Sequence, residues 1–161
     1  KRPERQLERM LASFAKRYDI VILDCPPGMS VLSEAILRAA DVVVVPLVPS
    51  PLAMRSLDQV TTMVGDMKKS RPAILGFLSM VDRRKKLHRE FIATHPDWRV
   101  IPHASIVERM AVERSPLAAY AQHSPAAKAM SELWSEVEKQ LMPAPKPKRQ
   151  ANEPRIPRSA G

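Results

Sequence analysis

In the stretch YDIVILDCPPG (residues 18–28), four apolar residues, Ile20 to Leu23, run into Asp24, which is followed by Cys25, Pro26, Pro27 and Gly28. A carboxylate placed where a strand leaves its sheet can hold a hydrated Mg²⁺ beside a bound phosphate chain. Mg²⁺ suits such a position because it keeps several waters and needs only one or two carboxylates. Pro26 and Pro27 have no N–H to donate, so the segment cannot continue a ladder and must turn. The plainer alternative is an Asp that ends a buried strand and caps the turn after it. A second cluster is the cationic run Arg83, Arg84, Lys85 and Lys86, with Lys68, Lys69, Arg71 and Arg89 as further cations in nearby segments. Lysines and arginines at this density give sequence-independent, salt-sensitive attraction to a phosphate backbone. No aromatic or Asn/Gln pattern accompanies them that would read bases. A solvated helix face is the competing reading. Cys25 is the only cysteine, which excludes an internal disulfide and a cysteine-based zinc site. With no histidine near it in sequence, it reads as inert packing in the turn rather than as a nucleophile.

The elements that must position these residues alternate. Leu7, Met10, Leu11 and Phe14 form the apolar stripe of an amphipathic helix. Ile20–Leu23 reads as a strand covered on both faces, residues 30–40 as a helix, and VVVVPLV after Asp41 as a second buried strand. Leu57, Val60, Val64 and Met67 mark the next helix, ending at a Ser-Arg-Pro stop. Residues 73–81 form a third strand, 86–95 a helix, and 98–102 a short fourth strand. A short helix over 105–112 precedes Ser124-Pro125, an N-cap with proline at the first helical position. The helix it opens carries Met130, Leu133, Trp134, Val137 and Leu141 on one stripe. This alternation predicts an α/β domain with a largely parallel sheet and flanking helices over residues 1–142. Ligands then belong beyond the carboxyl ends of the strands, at 24–28, 46–51, 82–86 and 102–105.

Composition narrows the classes. Aromatic residues are only 4% of the chain, so the core must be built from aliphatic side chains and Met. The net charge of +9 favours an anionic partner, with nucleic acid leading. After Met142 the chain has five prolines, five cations and almost no apolar residue; residues 143–161 read as a disordered basic tail. No apolar run reaches the roughly 20 residues of a membrane span. Opening on Lys1 rather than Met reads as a sign of a segment upstream, and the single cysteine suits a reducing cytoplasm.

Tyr18-Asp19, Asp24-Cys25-Pro26-Pro27, Ala39-Ala40-Asp41 and VVVVPLVPSPLAMRSL resemble, in this order, segments of the ParA/MinD-type P-loop ATPases. The match is best with ParA-like partition and positioning proteins. SMVDRRKKL, an Ile101-Pro102 step and SPLAAYAQHSPAAKAM extend the likeness over residues 14–141, with Pro116, Tyr120, Ser124, Ala127 and Ala129 in register. The resemblance implies the C-terminal portion of a P-loop NTPase fold and a Mg-ATPase acting in plasmid, chromosome or cargo partitioning. It implies that Asp24 holds Mg²⁺ through water, that Pro26, Pro27 and Gly28 sense the γ-phosphate of ATP, and that Asp82 and Pro102 border the adenine. It also implies an ATP-dependent homodimer, non-specific DNA binding through Arg83, Arg84, Lys85 and Lys86, and an adaptor protein that stimulates hydrolysis. The setting it implies is cytoplasmic and nucleoid-associated, without a membrane.

Two departures from the family pattern qualify this. The Gly-rich phosphate loop is missing: the four glycines, at 28, 65, 76 and 161, are far apart, and no lysine follows a Gly-rich turn. The 161 residues alone are therefore expected to hydrolyse no ATP and to leave sheet edges open. His103 and Ile106 stand where the family has arginines, which weakens the DNA patch or moves it. The competing readings are a non-catalytic DNA- or protein-binding module derived from such an ATPase and a small-molecule amidotransferase or synthetase on the same fold. No motif supports the last.

Overall fold

The computed structural model describes residues 3–25, 31–68 and 71–142. Within them, β1 (Val42–Leu47), β2 (Ala73–Val81) and β3 (Val100–Pro102) form a parallel sheet in the order β1-β2-β3. The helices are α1 (Pro3–Phe14), α2 (Val31–Ala39), α3 (Pro51–Gly65), α4 (Lys86–Thr94), α5 (Ser105–Glu113), α6 (Leu117–Tyr120) and α7 (Pro125–Leu141). The α/β class and the parallel sheet are as the sequence predicts. α3 and α7 both start at serine-proline caps. Ser50 Oγ accepts the Ala53 N–H at 3.2 Å and Ser124 Oγ accepts that of Ala127 at 3.1 Å, each with proline next in the chain.

β2 is the central strand. Leu78 is fully buried and pairs with Leu47 of β1 and Val100 of β3. At Gly76 a Cβ would meet the Trp98 ring at 3.2 Å, so glycine lets this indole lie directly on the sheet. One core cluster joins α2, α3 and the starts of β1 and β2: Leu37, Val64 and Met67, with Val43, Val60, Met63 and Ile74 against them. A second gathers α5, α6 and α7 around Leu117, Ala126 and Ala127, and there the Tyr120 hydroxyl donates to the Ile106 carbonyl at 2.5 Å. α7 lies on β1 and β3, and Arg99 ties it to the start of β3 through Glu132 at 3.8 Å and Glu136 at 3.6 Å.

Several expectations are corrected. Ile20–Leu23 is not a strand; Val21 and Ile22 are 40% and 77% exposed. An apolar run becomes a strand only when a neighbour satisfies its N–H and C=O groups, and no strand lies beside it among the described residues. Among the described residues β1 is not covered on both faces but is an edge strand, with Val44 39% exposed. Pro46, which cannot donate to a ladder, is tolerated there for that reason. The fourth predicted strand shortens to Val100–Pro102 because Trp98 turns back onto His95, their ring centroids 4.4 Å apart. α6 was not anticipated; four residues are too few to show a period. Cys25 does not pack but is exposed. Pro26, Pro27, Gly28 and the tail from 143 lie outside the described residues. No helix among the described residues is long and apolar enough to cross a membrane.

Candidate functional site

The carboxyl ends of all three strands meet at one small pocket of about 230 Å³, lined among others by Val48, Met80, Asp82, Lys85, His88 and His103. Asp82 follows β2 directly and Pro102 ends β3. The two are neighbours because Val81 pairs with Pro102 and the His103 N–H donates to the Val81 carbonyl at 3.0 Å. A register shift between Leu78 and Val81 breaks the β2–β3 ladder here, and Met80 takes a positive φ of 54°. That left-handed backbone is costly for a side chain with a Cβ, and it leaves Met80 52% exposed at the pocket.

Asp82 is held from both sides. Its Oδ1 accepts from the Arg84 backbone N–H at 3.0 Å and from Arg84 Nε at 2.9 Å, while Oδ2 accepts from Arg84 Nη2 at 2.9 Å. These bonds hold its carboxyl well below the usual carboxylate range and raise the Arg84 guanidinium. The Asp82 N–H donates to His88 Nδ1 at 3.0 Å, and His88 is buried. His88 Nδ1 is thus the acceptor that holds the backbone at the start of this turn. Arg89 Nη1 closes the turn by donating to the carbonyls of Arg83 at 3.0 Å and Arg84 at 2.9 Å.

The cationic run is therefore not uniform. Arg84 is engaged with Asp82, and Lys86 Nζ lies 3.7 Å from Glu90. Arg83 and Lys85 have no ion-pair partner among the described residues. His103, at a position where an arginine was expected, lies 3.3 Å from Glu108, and Arg109 pairs with Glu113. Asp24 is exposed at the end of an unpaired segment and has no hydrogen-bond partner among the described residues. A free, solvated carboxylate there suits a metal held through water. The phosphate chain of a nucleotide has no such fit, since a Gly-rich cradle is absent from the sequence. Asp82, Pro102, Arg84 and Lys85 thus come together at one strand end, whereas Asp24 is not among the residues lining that pocket. No group of three or more His, Cys, Asp or Glu suited to a metal occurs among the described residues.

His88 and Met80 escaped the sequence reading. His88 shares a helical stripe with Phe91, Ile92 and His95, a spacing that marks it as inward-facing. Met80 gave no signal, because a positive φ at methionine has no sequence signature.

The chain is similar to known proteins along much of its length. A family model described as "AAA domain" matches residues 1–76. A "ParA family protein" of Mycoplasma pneumoniae is 28% identical over 88 residues, covering 53% of this chain and 33% of the relative. The "Sporulation initiation inhibitor protein Soj" of Bacillus subtilis is 33% identical over 88 residues, covering 52% and 35%. Among solved structures, the cell division ATPase MinD of Pyrococcus furiosus superposes with a TM-score of 0.66 at 23% identity, over 84% of this chain and 58% of that one. This likeness shows a P-loop NTPase fold. The chain spans about a third of the length of these two curated relatives.

Proposed function

Because the chain belongs to the ParA/MinD-type family of P-loop ATPases, we propose that it is the C-terminal portion of a Mg-ATPase that positions DNA or another large cargo. Dimerisation controlled by ATP and non-specific DNA binding are the means. The observation that carries this reading is the pocket at the strand ends, where Asp82 and Pro102 are joined through the Val81–His103 bond beside a shallow, partly apolar cleft. A flat base can lie there against Met80 and Val48. Asp82 orients such a base only through oxygens that Arg84 already engages, so Arg84 sets its position. Asp24 holds Mg²⁺ through water, and Pro26, Pro27 and Gly28 sense the γ-phosphate. ATP and Mg²⁺ bind productively only with a phosphate loop supplied by another segment. An adaptor protein stimulates hydrolysis, and the cytoplasm is where the protein acts.

Arg83 and Lys85 supply the free positive charge for DNA, with Arg84 and Lys86 contributing less because each has a carboxylate beside it. One other reading is a non-catalytic binding module that keeps the partner surface without the nucleotide. Retention on non-specific duplex DNA separates them. The chain joined to a ParA-type phosphate loop is expected to be retained in an ATP-dependent, salt-sensitive way. Arg83→Glu with Lys85→Glu abolishes that retention. Retention indifferent to ATP favours the binding module, and retention unaffected by both reversals rejects the patch.

A further inference from the structure

A groove of about 560 Å³ runs between α2 and α3, remote from the strand-end pocket, with Met63 and Met67 along its floor. Its charged lining is three acids, Glu34, Asp58 and Asp66, against one cation, Arg38. Glu34 shares its charge with Arg38 at 2.6 Å, but Asp58 and Asp66 have no ion-pair partner among the described residues. Such a surface is unusual on a chain of net charge +9. The groove also has a definite place in the topology. α3 runs from the carboxyl end of β1 to the start of β2, so Thr62, Met63 and Asp66 lie at the amino ends of the strands. α7 runs the same way: its first turn packs against α5 and α6, which follow β3, and its later residues Glu132 and Glu136 reach Arg99 at the start of β3. The helix therefore releases the chain, after Met142, at the same end of the sheet as the groove.

The segment beyond Met142 carries Lys146, Lys148, Arg149, Arg155 and Arg158 against the single acid Glu153. We propose that the α2–α3 groove is the docking site of this chain's own basic tail, residues 143–161, with its lysines and arginines against Asp58 and Asp66 and its prolines over Met63. Reach is not limiting. A Pro-rich segment extends by about 3.1 Å per residue, so Arg149 can lie roughly 20 Å from Met142 and Arg155 roughly 40 Å. A β1 strand of six residues is itself only about 20 Å long. Tethering supplies a high local concentration of the tail, so individually weak surface ion pairs suffice. Docking withdraws five cations from any polyanion until a competing cation or salt releases them.

Trypsin digestion of the full chain, followed by mass spectrometry, tests this. Cleavage after Lys148, Arg149 and Arg155 is expected to be roughly threefold to tenfold slower in the native chain than in the Asp58→Asn, Asp66→Asn double variant, because cleavage follows the undocked fraction. In about 0.5 M NaCl, where the Debye length falls to roughly 4 Å, the two rates converge. Cleavage at sites in the folded body, equal in both chains, reports that the variant still folds. Equal tail cleavage in native and variant chains at low salt overturns the proposal. Protection that grows with protein concentration overturns it too, since the occupant is then the tail of a second copy.

Discussion

Removal of the Tyr120 hydroxyl in Tyr120→Phe leaves the ring in the α5–α6–α7 cluster and deletes only the 2.5 Å bond to the Ile106 carbonyl. Ile106 lies in the first turn of α5, so its carbonyl keeps a helical N–H as partner after the substitution. No buried acceptor is orphaned, which sets the cost at the net value of one neutral hydrogen bond, about 0.5–1.5 kcal/mol. With an unfolding entropy of about 2 cal/mol/K per residue over a domain of this size, 1 kcal/mol lowers Tm by roughly 3–4 °C. Tyr120→Ala removes the ring as well and leaves a cavity beside Leu117 and Met130, costing about 3–5 kcal/mol. Differential scanning calorimetry of the native chain and both variants reads the two steps separately. A Tyr120→Phe protein that melts with the native chain refutes the hydrogen bond. One that melts with Tyr120→Ala refutes the claim that the carbonyl stays satisfied.

Ser124→Ala removes the oxygen that caps α7 and is expected to cost about 1 kcal/mol, measured by urea denaturation; an unchanged midpoint contradicts the cap. The Asp82 carboxyl is depressed in the fold by Arg84, so its contribution to stability is present above the unfolded value near pH 4 and lost as pH falls below it. Arg84→Gln should therefore flatten the fall of Tm between about pH 4 and about pH 2, and equal pH profiles would argue against the pair.

The order of elements was legible because each rests on local signals: β-branched runs for β1 and β2, a serine-proline cap for α7, and the Leu57, Val60 and Val64 stripe for α3, although α3 ends at Gly65, before the Ser-Arg-Pro stop that the sequence offered. Ile20–Leu23 misled because its composition encodes burial, while strand pairing depends on a neighbour that composition cannot supply. Open sheet edges were expected, but composition did not show that β1 would form one of them. Asp82 and Pro102 were singled out by the resemblance and by their place after strands, and the structure brings the two together at one strand end. The pairing of Arg84 with Asp82 was not legible, because a run of four cations gives no indication of which one turns inward. Nor could spacing show that His88 accepts from the Asp82 N–H, a contact created by the turn between β2 and α4. The match of Tyr120, Ser124 and Ala127 to the family pattern has a structural reason here: a hydroxyl tie, a helix cap and a small residue in a tight cluster.

The central claim is that Asp24 is the metal carboxylate of a nucleotide site completed by a phosphate loop from another segment. The most direct test is calorimetric titration of Mg·ATP into the chain joined behind a ParA-type phosphate loop, with and without Asp24→Asn, each confirmed folded by its melting transition. Binding is expected to depend on Mg²⁺ and to weaken roughly tenfold to a hundredfold in Asp24→Asn, the scale typical of residues that hold a metal through an intermediary ligand. Binding of equal strength in both folded proteins, or no binding in either, would contradict it.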